Sequence, residues 1–392
     1  MSDKNIDRRS FLKGATLAAA SLGVPTAAAA ERKPSSAKVP TKQLGVTGIQ
    51  IPIIELGTSQ TLDAVYDKKM HLCYREGVTM IDTALVYGWG ASHRAIANFL
   101  QQIDDRQNMF ITSKSESTRV SGLRKGLDEC LDELQIDNLD LYLMHNATNP
   151  KMLDPDYIKL GDELRKSGKT KLFGFSCHGR DIIPVMNKAV RVGGIDVILF
   201  RYNFRQYGDL ELNRAIDACK KGGIGLIAMK AMASVPKELE QVAGFTSDNF
   251  TLAQAKLKSI WADERIDCIN SEMDNVKRVR ENIAAARSTQ ELTAGESHQL
   301  NRLAALTAGY YCNGCASLCE KAAGRRTAIA DPLRFLMYYE CYGKQSRARE
   351  LYGKIPEHLK GFEPAQIARA EAVCPQGIKI RERLAAAREL LG

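Results

Sequence analysis

Side chains that can move protons stand at or just after the ends of three short apolar runs. Asp82 closes the first run, and Tyr87 follows it five residues later. Lys114 ends the second run, and His145 ends the third. If these runs are parallel strands of one barrel, their carboxyl ends converge on one face, where active sites are built. A carboxylate, a phenol, an amine and an imidazole gathered there suit proton transfer to a carbonyl oxygen.

The elements that must position these residues are short strands separated by amphipathic stretches. The candidate strands are Ile53–Gly57, Val78–Asp82, Met109–Ser113, Leu139–His145, Lys171–Ser176, Val197–Phe200, Gly225–Met229 and Ile266–Ile269. A helical pattern such as Gly122–Leu134 lies between them, and successive βα units imply a parallel sheet. Eight such units predict an α/β fold, a (β/α)8 TIM barrel. A doubly wound open sheet is the alternative, but no Gly-x-Gly-x-x-Gly follows the first strand.

The proton-transferring residues and their neighbours resemble the catalytic tetrad of the aldo-keto reductases. The matching residues are Asp82-Thr83-Ala84, Tyr87-Gly88, Lys114 and His145, and Gln43–Gly48 resembles the family's N-terminal hairpin. The resemblance covers about residues 41–288 and implies hydride transfer between a nicotinamide and a small carbonyl substrate. In that chemistry Tyr87 gives a proton to the developing alkoxide, and Lys114 lowers the pKa of the phenol. Asp82 holds the lysine, and His145 orients the carbonyl oxygen and relays the proton.

The same resemblance assigns a set of residues to the nicotinamide cofactor. Ser176 is expected at the nicotinamide amide and Tyr202 on the nicotinamide ring, and Cys177 and His178 are expected to line the pocket. Lys230, Arg278, Glu281 and Asn282 complete the predicted cofactor set.

The loop after the last strand departs from the family. Ser271-Glu272 stand where the family often has Pro-Lys or Pro-Gly near the 2′-phosphate of the cofactor. Glu272 would repel that phosphate, whereas Arg278 would attract it. The expected cofactor is therefore NADP or NAD, and a degenerate cofactor site is a further alternative. A barrel that binds a ligand or transfers electrons without nicotinamide turnover is the alternative function.

Four cysteines stand apart from the barrel pattern, in the C-terminal segment, residues 289–392. They are Cys312, Cys315, Cys319 and Cys374, the last followed by Pro375. They resemble the ferredoxin-like extension found on one branch of the aldo-keto reductases, which implies one [4Fe–4S] cluster and a redox partner protein. Cys341 is a reserve ligand. A disulfide framework and a structural zinc site are the alternatives.

The positions that would hold a second cluster lack cysteines. Pro364, Ile367 and Ala370 stand there instead, so a single cluster is predicted. The stretches between Cys319 and Cys374 have helical spacing and carry aromatic residues, which favours a mainly helical domain with its own core.

Residues 1–30 resemble a twin-arginine export signal. Arg8-Arg9 precede Phe11-Leu12-Lys13, then a short apolar stretch and small residues at Ala28 and Ala30. This pattern predicts export of the folded chain to the periplasm by the twin-arginine machinery. The apolar stretch is too short for a stable membrane span. Residues 31–40 are a polar linker to the barrel, residues 41–288.

Charge and composition exclude some function classes. The formal net charge is +9, but acidic residues are interleaved with basic ones along the whole chain. A continuous basic patch is therefore not expected, and binding of nucleic acid is not predicted.

Overall fold

A computed structural model describes residues 38–392. The predicted signal and most of the linker, residues 1–37, lie outside the described residues. The described part begins with a hairpin of β1 (Thr41–Gln43) and β2 (Gln50–Pro52), in which Lys42 pairs with Ile51. Leu44 and Ile51 join the apolar cluster inside the barrel, so the hairpin plugs one end of it. This confirms the predicted hairpin.

Eight parallel strands close the barrel behind this hairpin. They are β3 (Ile54–Gly57), β4 (Met80–Asp82), β5 (Phe110–Ser115), β6 (Leu139–Met144), β7 (Thr170–Cys177), β8 (Val197–Arg201), β9 (Gly225–Met229) and β10 (Cys268–Ser271). Each strand pairs with the next, and β10 returns to β3 with Asn270 beside Glu55. The eight predicted strands and the closed barrel are confirmed.

Between residues 38 and 306, the described part of the barrel region, ten helices accompany the strands and their loops. They are α1 (Lys68–Arg75), α2 (Ala91–Leu100), α3 (Val120–Leu134), α4 (Pro155–Lys166), α5 (Ile182–Val192), α6 (Leu210–Lys221), α7 (Lys237–Val242), α8 (Leu252–Trp261), α9 (Val276–Arg287) and α10 (Ala294–Leu306). Short 3-10 turns lie at Arg106–Asn108, Pro150–Leu153, Phe204–Gln206 and Ala308–Tyr310. The predicted apolar face of α3, for example Leu123 and Leu127, is fully buried against the barrel.

Strand alternation divides the barrel residues into two layers. Side chains of Met80, Leu141 and Leu199 fill the interior. Those of Ile81 and Tyr142 pack outward against the helices. Because alternate residues of a strand point to opposite faces, a polar residue two positions beyond an interior one also points inward, towards the carboxyl-terminal mouth of the barrel.

The rest of the C-terminal segment is helical, as predicted. Its helices are α11 (Ala316–Ala322), α12 (Ala330–Tyr342), α13 (Gln345–Gly353), α14 (Glu357–Lys360), α15 (Pro364–Ala372) and α16 (Ile380–Leu391). Phe335 and Leu336 of α12 share an apolar cluster with Phe204, Val235 and Phe250 of the barrel region. The aromatic stripe is therefore core, and it joins the segment to the barrel. Among residues 38–392, no helix has the length and apolar character needed to cross a membrane.

Candidate active site

Asp82 and Lys114 form a buried ion pair at the mouth of the barrel. Met80 and Asp82 alternate inward on β4, and Phe110 and Lys114 do so on β5. Lys114 Nζ lies 2.5 Å from Asp82 Oδ1 and also donates to the Thr83 carbonyl at 2.6 Å. The lysine is 1% exposed, so these two acceptors replace the water that its ammonium group has lost.

Tyr87 and His145 complete the predicted tetrad. The turn after β4 is held by the Tyr87 N–H, which donates to the Ala84 carbonyl at 3.0 Å. Lys114 Nζ lies 5.2 Å from the centre of the Tyr87 ring. The rings of Tyr87 and His145 meet edge to face with their centres 6.0 Å apart. The structure therefore brings all four predicted residues together.

Burial dominates the protonation of Tyr87. It raises the pKa of Tyr87 well above its ordinary value, and the charges of Asp82 and Tyr338 raise it further. The lowering of this pKa by Lys114 that the sequence predicts is not found, because burial and negative neighbours outweigh the lysine. Tyr87 is a protonated phenol at neutral pH and can donate its proton.

His145 is neutral at the mouth. Burial, then the charges of Lys114 and Arg334, lower the pKa of His145 well below its ordinary value. Its Nδ1 is buried without a hydrogen-bond partner, and the nearest carboxylate oxygen, on Glu116, is 3.8 Å away. An imidazole with a free ring nitrogen can orient a bound oxygen, as predicted for this residue.

Glu55 is a carboxyl group in the barrel interior that sequence reasoning missed. It lies on β3, is 1% exposed and accepts a hydrogen bond from Asn270 at 2.9 Å. Burial, then the charge of Asp82, raises the pKa of Glu55 well above its ordinary value. The sequence held a signal, because Glu55 is an acid inside an apolar run, two residues before Gly57.

Some of the residues predicted to bind the nicotinamide lie at the mouth of the barrel, and one lies in the layer between the strands and the helices. Ser176 points inward from β7, and its Oγ accepts the Asn146 N–H at 3.2 Å. Lys230 follows β9 with a φ of 60° and reaches Tyr338 of α12. Tyr202, however, lies in the layer between strands and helices, where its hydroxyl donates to Asp263 at 2.5 Å. Its ring does not face the mouth.

The reason for the position of Tyr202 is the alternation of β8. Leu199 points inward, so Arg201 also points inward and Tyr202 points outward. Arg201 is 3% exposed, and its guanidinium donates to the Cys312 carbonyl of the C-terminal segment. The sequence did hold a signal for Arg201, because counting two residues on from the inward-facing Leu199 leads to it. His178, expected in the pocket, lies with its ring 6.2 Å from that of His145.

The predicted adenine-side residues cluster on α9 after β10. Asn282 donates to Ser271 Oγ at 2.9 Å, Glu281 accepts from Thr251 at 2.6 Å, and Arg278 pairs with Asp274 at 2.5 Å. The Arg278 side chain is 62% exposed, so its ion pair is open to exchange for a bound anion. In this region Glu272 pairs with Lys344 of the C-terminal segment.

The four predicted cysteine ligands line one small cavity. We call this cavity, lined by Cys312, Cys315, Cys319 and Cys374, the cysteine pocket. All ten cysteines are free thiols, so the disulfide alternative does not describe this structure. Within residues 38–392, no three histidine, cysteine or acidic side chains are placed to hold a metal ion. The reserve ligand Cys341 packs in a different apolar cluster.

The cysteine pocket rests directly on the mouth. The Arg180 N–H donates to the Asn313 carbonyl at 3.0 Å. Gly179 and Gly314 allow this approach, because a Cβ on Gly179 would lie 2.4 Å from the Gly314 carbonyl oxygen. The C-terminal segment therefore covers the loops that follow β7, β8 and β9, close to the tetrad.

Comparison with known proteins agrees with this geometry. A model of the Aldo/keto reductase family matches residues 55–242, which contain the whole tetrad. The chain carries an aldo/keto reductase family domain. It is an oxidoreductase of the aldo-keto reductase type, and the match ends before β10 and the C-terminal segment.

Relatives of this aldo-keto reductase domain differ in how much they share with the chain. L-galactose dehydrogenase of Arabidopsis thaliana is 23% identical over 65% of this chain and 90% of its own length. Glycerol 2-dehydrogenase (NADP(+)) of Saccharomyces cerevisiae is 38% identical, over 30% of this chain and 36% of its own length. The solved structure of aldo-keto reductase AKR11C1 from Bacillus halodurans covers 68% of this chain and 96% of its own, with a TM-score of 0.58 at 17% identity. That likeness supports the barrel fold.

Proposed function

We propose that this chain interconverts a carbonyl and an alcohol on a small substrate, using NADP or NAD. The observation that carries the proposal is the buried Asp82–Lys114 pair with Tyr87 and His145 at one mouth. These four side chains suit one task, which is to hold a carbonyl oxygen and to protonate it as negative charge develops.

In this proposal each residue of the tetrad has its own role in carbonyl reduction. A bound reduced nicotinamide supplies the hydride. His145, neutral and with an unpartnered Nδ1, orients the carbonyl oxygen. Tyr87 gives its proton to that oxygen, and Lys114 stabilises the phenolate that remains. Asp82 keeps the lysine in place and balances its charge.

Several residues fit a nicotinamide cofactor. Ser176 points into the mouth, His178 Nδ1 is buried there without a hydrogen-bond partner, and Asn282 closes the end of β10. Glu272, which would repel a 2′-phosphate, is paired with Lys344, so its charge is largely compensated. The name of the yeast relative, glycerol 2-dehydrogenase (NADP(+)), favours NADP as the first cofactor to test.

Turnover with both nicotinamides tests the proposal. Purified chain is mixed with NADPH or NADH and a panel of small aldehydes and ketones, and the loss of reduced nicotinamide is followed. We expect Tyr87→Phe to lose about 10²–10⁴ in kcat/KM, the usual effect of removing a general acid. Tyr66→Phe is the matched control, since Tyr66 is 47% exposed and outside the mouth. Equal activity in Tyr87→Phe and the native chain would remove the tetrad from the mechanism.

We further infer that Cys312, Cys315, Cys319 and Cys374 hold one [4Fe–4S] cluster. Support comes from the shared cavity, from its apolar wall of Ile329, Leu333 and Ile378, and from the Gly314 N–H that donates to Cys312 Sγ at 3.4 Å. A cluster binds each thiolate at a different iron, so its four sulfurs stand wider than around one zinc ion. A cysteine set suited to a cluster therefore need not have three side chains placed around a single metal ion, as is the case within residues 38–392.

Iron analysis of anaerobically purified protein tests the cluster. About four irons per chain are expected, with a broad visible absorbance that bleaches on reduction. Cys315→Ser should lose most of this iron, while the matched variant Cys341→Ser should keep it. Iron-free protein, or equal loss in both variants, would contradict the assignment. With the cluster in place, the segment would exchange electrons with a redox partner protein.

One observation favours a second candidate function, an electron-transfer or binding protein without nicotinamide turnover. Helix α12 and Lys344 lie across the loops on which a cofactor would rest, with Lys344 donating to the Ser59 carbonyl at 2.9 Å. If neither NADPH nor NADH binds to the purified chain, this second function describes the protein better than carbonyl reduction does.

We also propose that residues 1–30 direct export of the chain to the periplasm. It rests on Arg8-Arg9 and the short apolar stretch after them. Replacing both arginines by lysine should leave the chain in the cytoplasm, as fractionation of the cells would detect. Unchanged export would remove the twin-arginine route.

A further inference from the structure

A buried arginine stands between the barrel mouth and the cysteine pocket. Arg201 is the last residue of β8, and the alternation of that strand turns its side chain inward at the mouth. Its guanidinium group donates to the carbonyl of Cys312, the first cysteine of the pocket. The arginine is 3% exposed, so it has lost nearly all of its contact with water. One charged side chain therefore joins the mouth to the C-terminal segment.

No acidic side chain balances the charge of Arg201. Within residues 38–392, no ion pair includes this arginine, and its Nε is buried without a hydrogen-bond partner. Arg334, by comparison, pairs with Asp331 at 2.7 Å. A guanidinium group keeps its proton at every working pH, so Arg201 cannot escape the cost of burial by becoming neutral. Because a buried charge without a partner is strongly destabilising, we expect a negative charge close to it.

Arg201 also contacts an aromatic ring. Its guanidinium carbon lies 5.6 Å from the centre of the ring of Tyr311, which directly precedes Cys312. Tyr311 is 1% exposed, and its hydroxyl accepts a hydrogen bond from Asn203 at 3.2 Å. A cation is attracted to the face of an aromatic ring. The ring face and the Cys312 carbonyl carry only partial negative charge, however, so they do not balance a buried guanidinium group.

The cysteine pocket can hold the missing negative charge. A hydrogen bond and four covalent bonds link the guanidinium group of Arg201 to the sulfur of Cys312, so the two lie within about 7 Å of each other. Four thiolates around a [4Fe–4S] cluster give the assembly a net negative charge. Because Arg201 is buried, water and salt screen its attraction to such a charge only weakly.

A second contact holds the pocket to the barrel beside Arg201. Ser317 lies between Cys315 and Cys319, and its N–H donates to the Asp181 carboxylate at 3.1 Å. The hydroxyl of Ser317 donates to the same carboxylate. The loop after β7 therefore fixes the cysteine motif independently of β8. A substitution at Arg201 should leave the C-terminal segment docked, which makes its charge open to test.

We propose that Arg201 is the positive counter-charge of the iron–sulfur cluster and raises its reduction potential from the barrel side. The inference rests on the proposed cluster and does not require carbonyl reduction. A one-electron donor, such as a redox partner protein, adds one electron and therefore one negative charge beside Arg201. A buried cation stabilises the more negative state, so Arg201 favours the reduced form. Arg201 is a positioning residue, since it contacts the backbone of a ligand cysteine and not the reacting atoms.

A redox titration measures this role without any turnover. Iron-loaded chain is titrated with dithionite and mediators, and the visible absorbance gives the reduced fraction. Arg201→Met removes the charge, so at a fixed potential the ratio of reduced to oxidised cluster should fall about tenfold, which is about 59 mV for one electron. Arg201→Lys restores a positive charge and should recover most of the shift. An unchanged potential in iron-loaded Arg201→Met would overturn the proposal.

The matched control is Arg205→Met. Arg205 also lies over the Tyr311 ring, at 4.8 Å, but it donates to the carbonyls of Ala233 and Ala304, away from the cysteines. Its removal should shift the potential much less. Because arginine does not titrate, the difference between the native chain and Arg201→Met should be the same at about pH 6 and about pH 8. Equal shifts in Arg201→Met and Arg205→Met would reduce Arg201 to a packing role and contradict the proposal.

Iron analysis separates this proposal from the proposed function. A native chain without iron would remove both the cluster and its counter-charge, whereas about four irons with a potential insensitive to Arg201→Met would remove only the role of Arg201. If Arg201→Met binds less iron, Arg201→Lys should retain it, and equal loss in both variants would contradict a role of the charge. Calorimetry with inorganic phosphate covers the remaining case. Phosphate binding that is lost in Arg201→Met, with an unchanged potential, would assign Arg201 to an anion of the mouth instead.

Discussion

The barrel and the C-terminal segment contribute different kinds of residue to one mouth. The barrel supplies Asp82, Lys114 and His145 from strand ends, where the pairing of neighbouring strands holds each backbone. The C-terminal segment supplies Arg334 and Tyr338 from one helix, together with the cysteine pocket. The barrel residues follow a pattern common to many chains, whereas those of the segment depend on how it packs in this chain. The tetrad therefore belongs to the barrel, and the cover over the mouth belongs to the segment.

The largest expected effect is on the barrel side, from Lys114→Met. Removing the lysine leaves Asp82 as an unpaired buried charge, which costs about 3–5 kcal/mol of folding free energy. It should also abolish most turnover, because the Tyr87 phenolate loses its cation. The measurement is denaturant unfolding with kcat/KM on the same sample. The double variant Asp82→Asn/Lys114→Met should regain stability but not activity, and a stable Lys114→Met protein would contradict the importance of the pair.

Core truncations test whether the two regions unfold together. Leu141 lies inside the barrel and Leu336 in the cluster that joins α12 to the barrel, both fully buried. Replacing either by alanine should cost about 2–5 kcal/mol. Because Leu336 shares its cluster with Phe204 of the barrel region, we expect both variants to shift one common transition in calorimetry. Two transitions, with only one moved by Leu336→Ala, would make the segment an independent domain.

Acid should destabilise the mouth through its buried histidines. Burial lowers the pKa of His145 and of His178, so below about pH 6.5 their unfolded forms bind protons that the folded chain does not. Stability from these groups is therefore complete above about pH 6.5 and is lost as the pH falls. His178→Gln should reduce the slope of stability against pH, as unfolding at several pH values would measure. An unchanged slope in that variant would mean that His178 protonates freely in the fold.

The smallest effect is expected at the contact between Lys344 and Glu272. The two side chains are 23% and 34% exposed, so Lys344→Ala should change stability by about 1 kcal/mol or less. It should weaken NADPH more than NADH, because Glu272 would then face the 2′-phosphate unpaired. Glu272→Gln should do the opposite, and fluorescence titration of both cofactors measures the ratio. Equal ratios in both variants would place the phosphate elsewhere.

The sequence was informative where local pattern decides position. Apolar runs predicted the eight strands, and three of their ends held Asp82, Lys114 and His145. The family resemblance placed Tyr202 on the nicotinamide ring, whereas the alternation of β8 turns Arg201 inward and Tyr202 outward. Tyr338 could not be predicted, because an aromatic stripe on a helix does not say which of its members faces a lysine more than a hundred residues earlier in the chain.

Electrostatics was harder to predict than position. Lys114 and Tyr87 were expected to meet, and they do, but the direction of the shift in the pKa of Tyr87 follows from its burial at the mouth and from negative groups contributed by other elements. Glu55 shows the same limit, since an acid in an apolar run does not reveal that Asn270 will hydrogen-bond to it. Burial and partners are properties of the assembled barrel.

Transfer of a hydrogen label tests the central claim most directly. The chain is supplied with NADPH or NADH carrying deuterium at the transferring position of the reduced ring, together with the best carbonyl substrate found. The proposed function predicts deuterium on the alcohol carbon of the product, with Tyr66→Phe behaving like the native chain and Tyr87→Phe forming little product. An unlabelled alcohol, or reduction driven only by a one-electron donor, would show that the hydride does not come from a nicotinamide at this mouth.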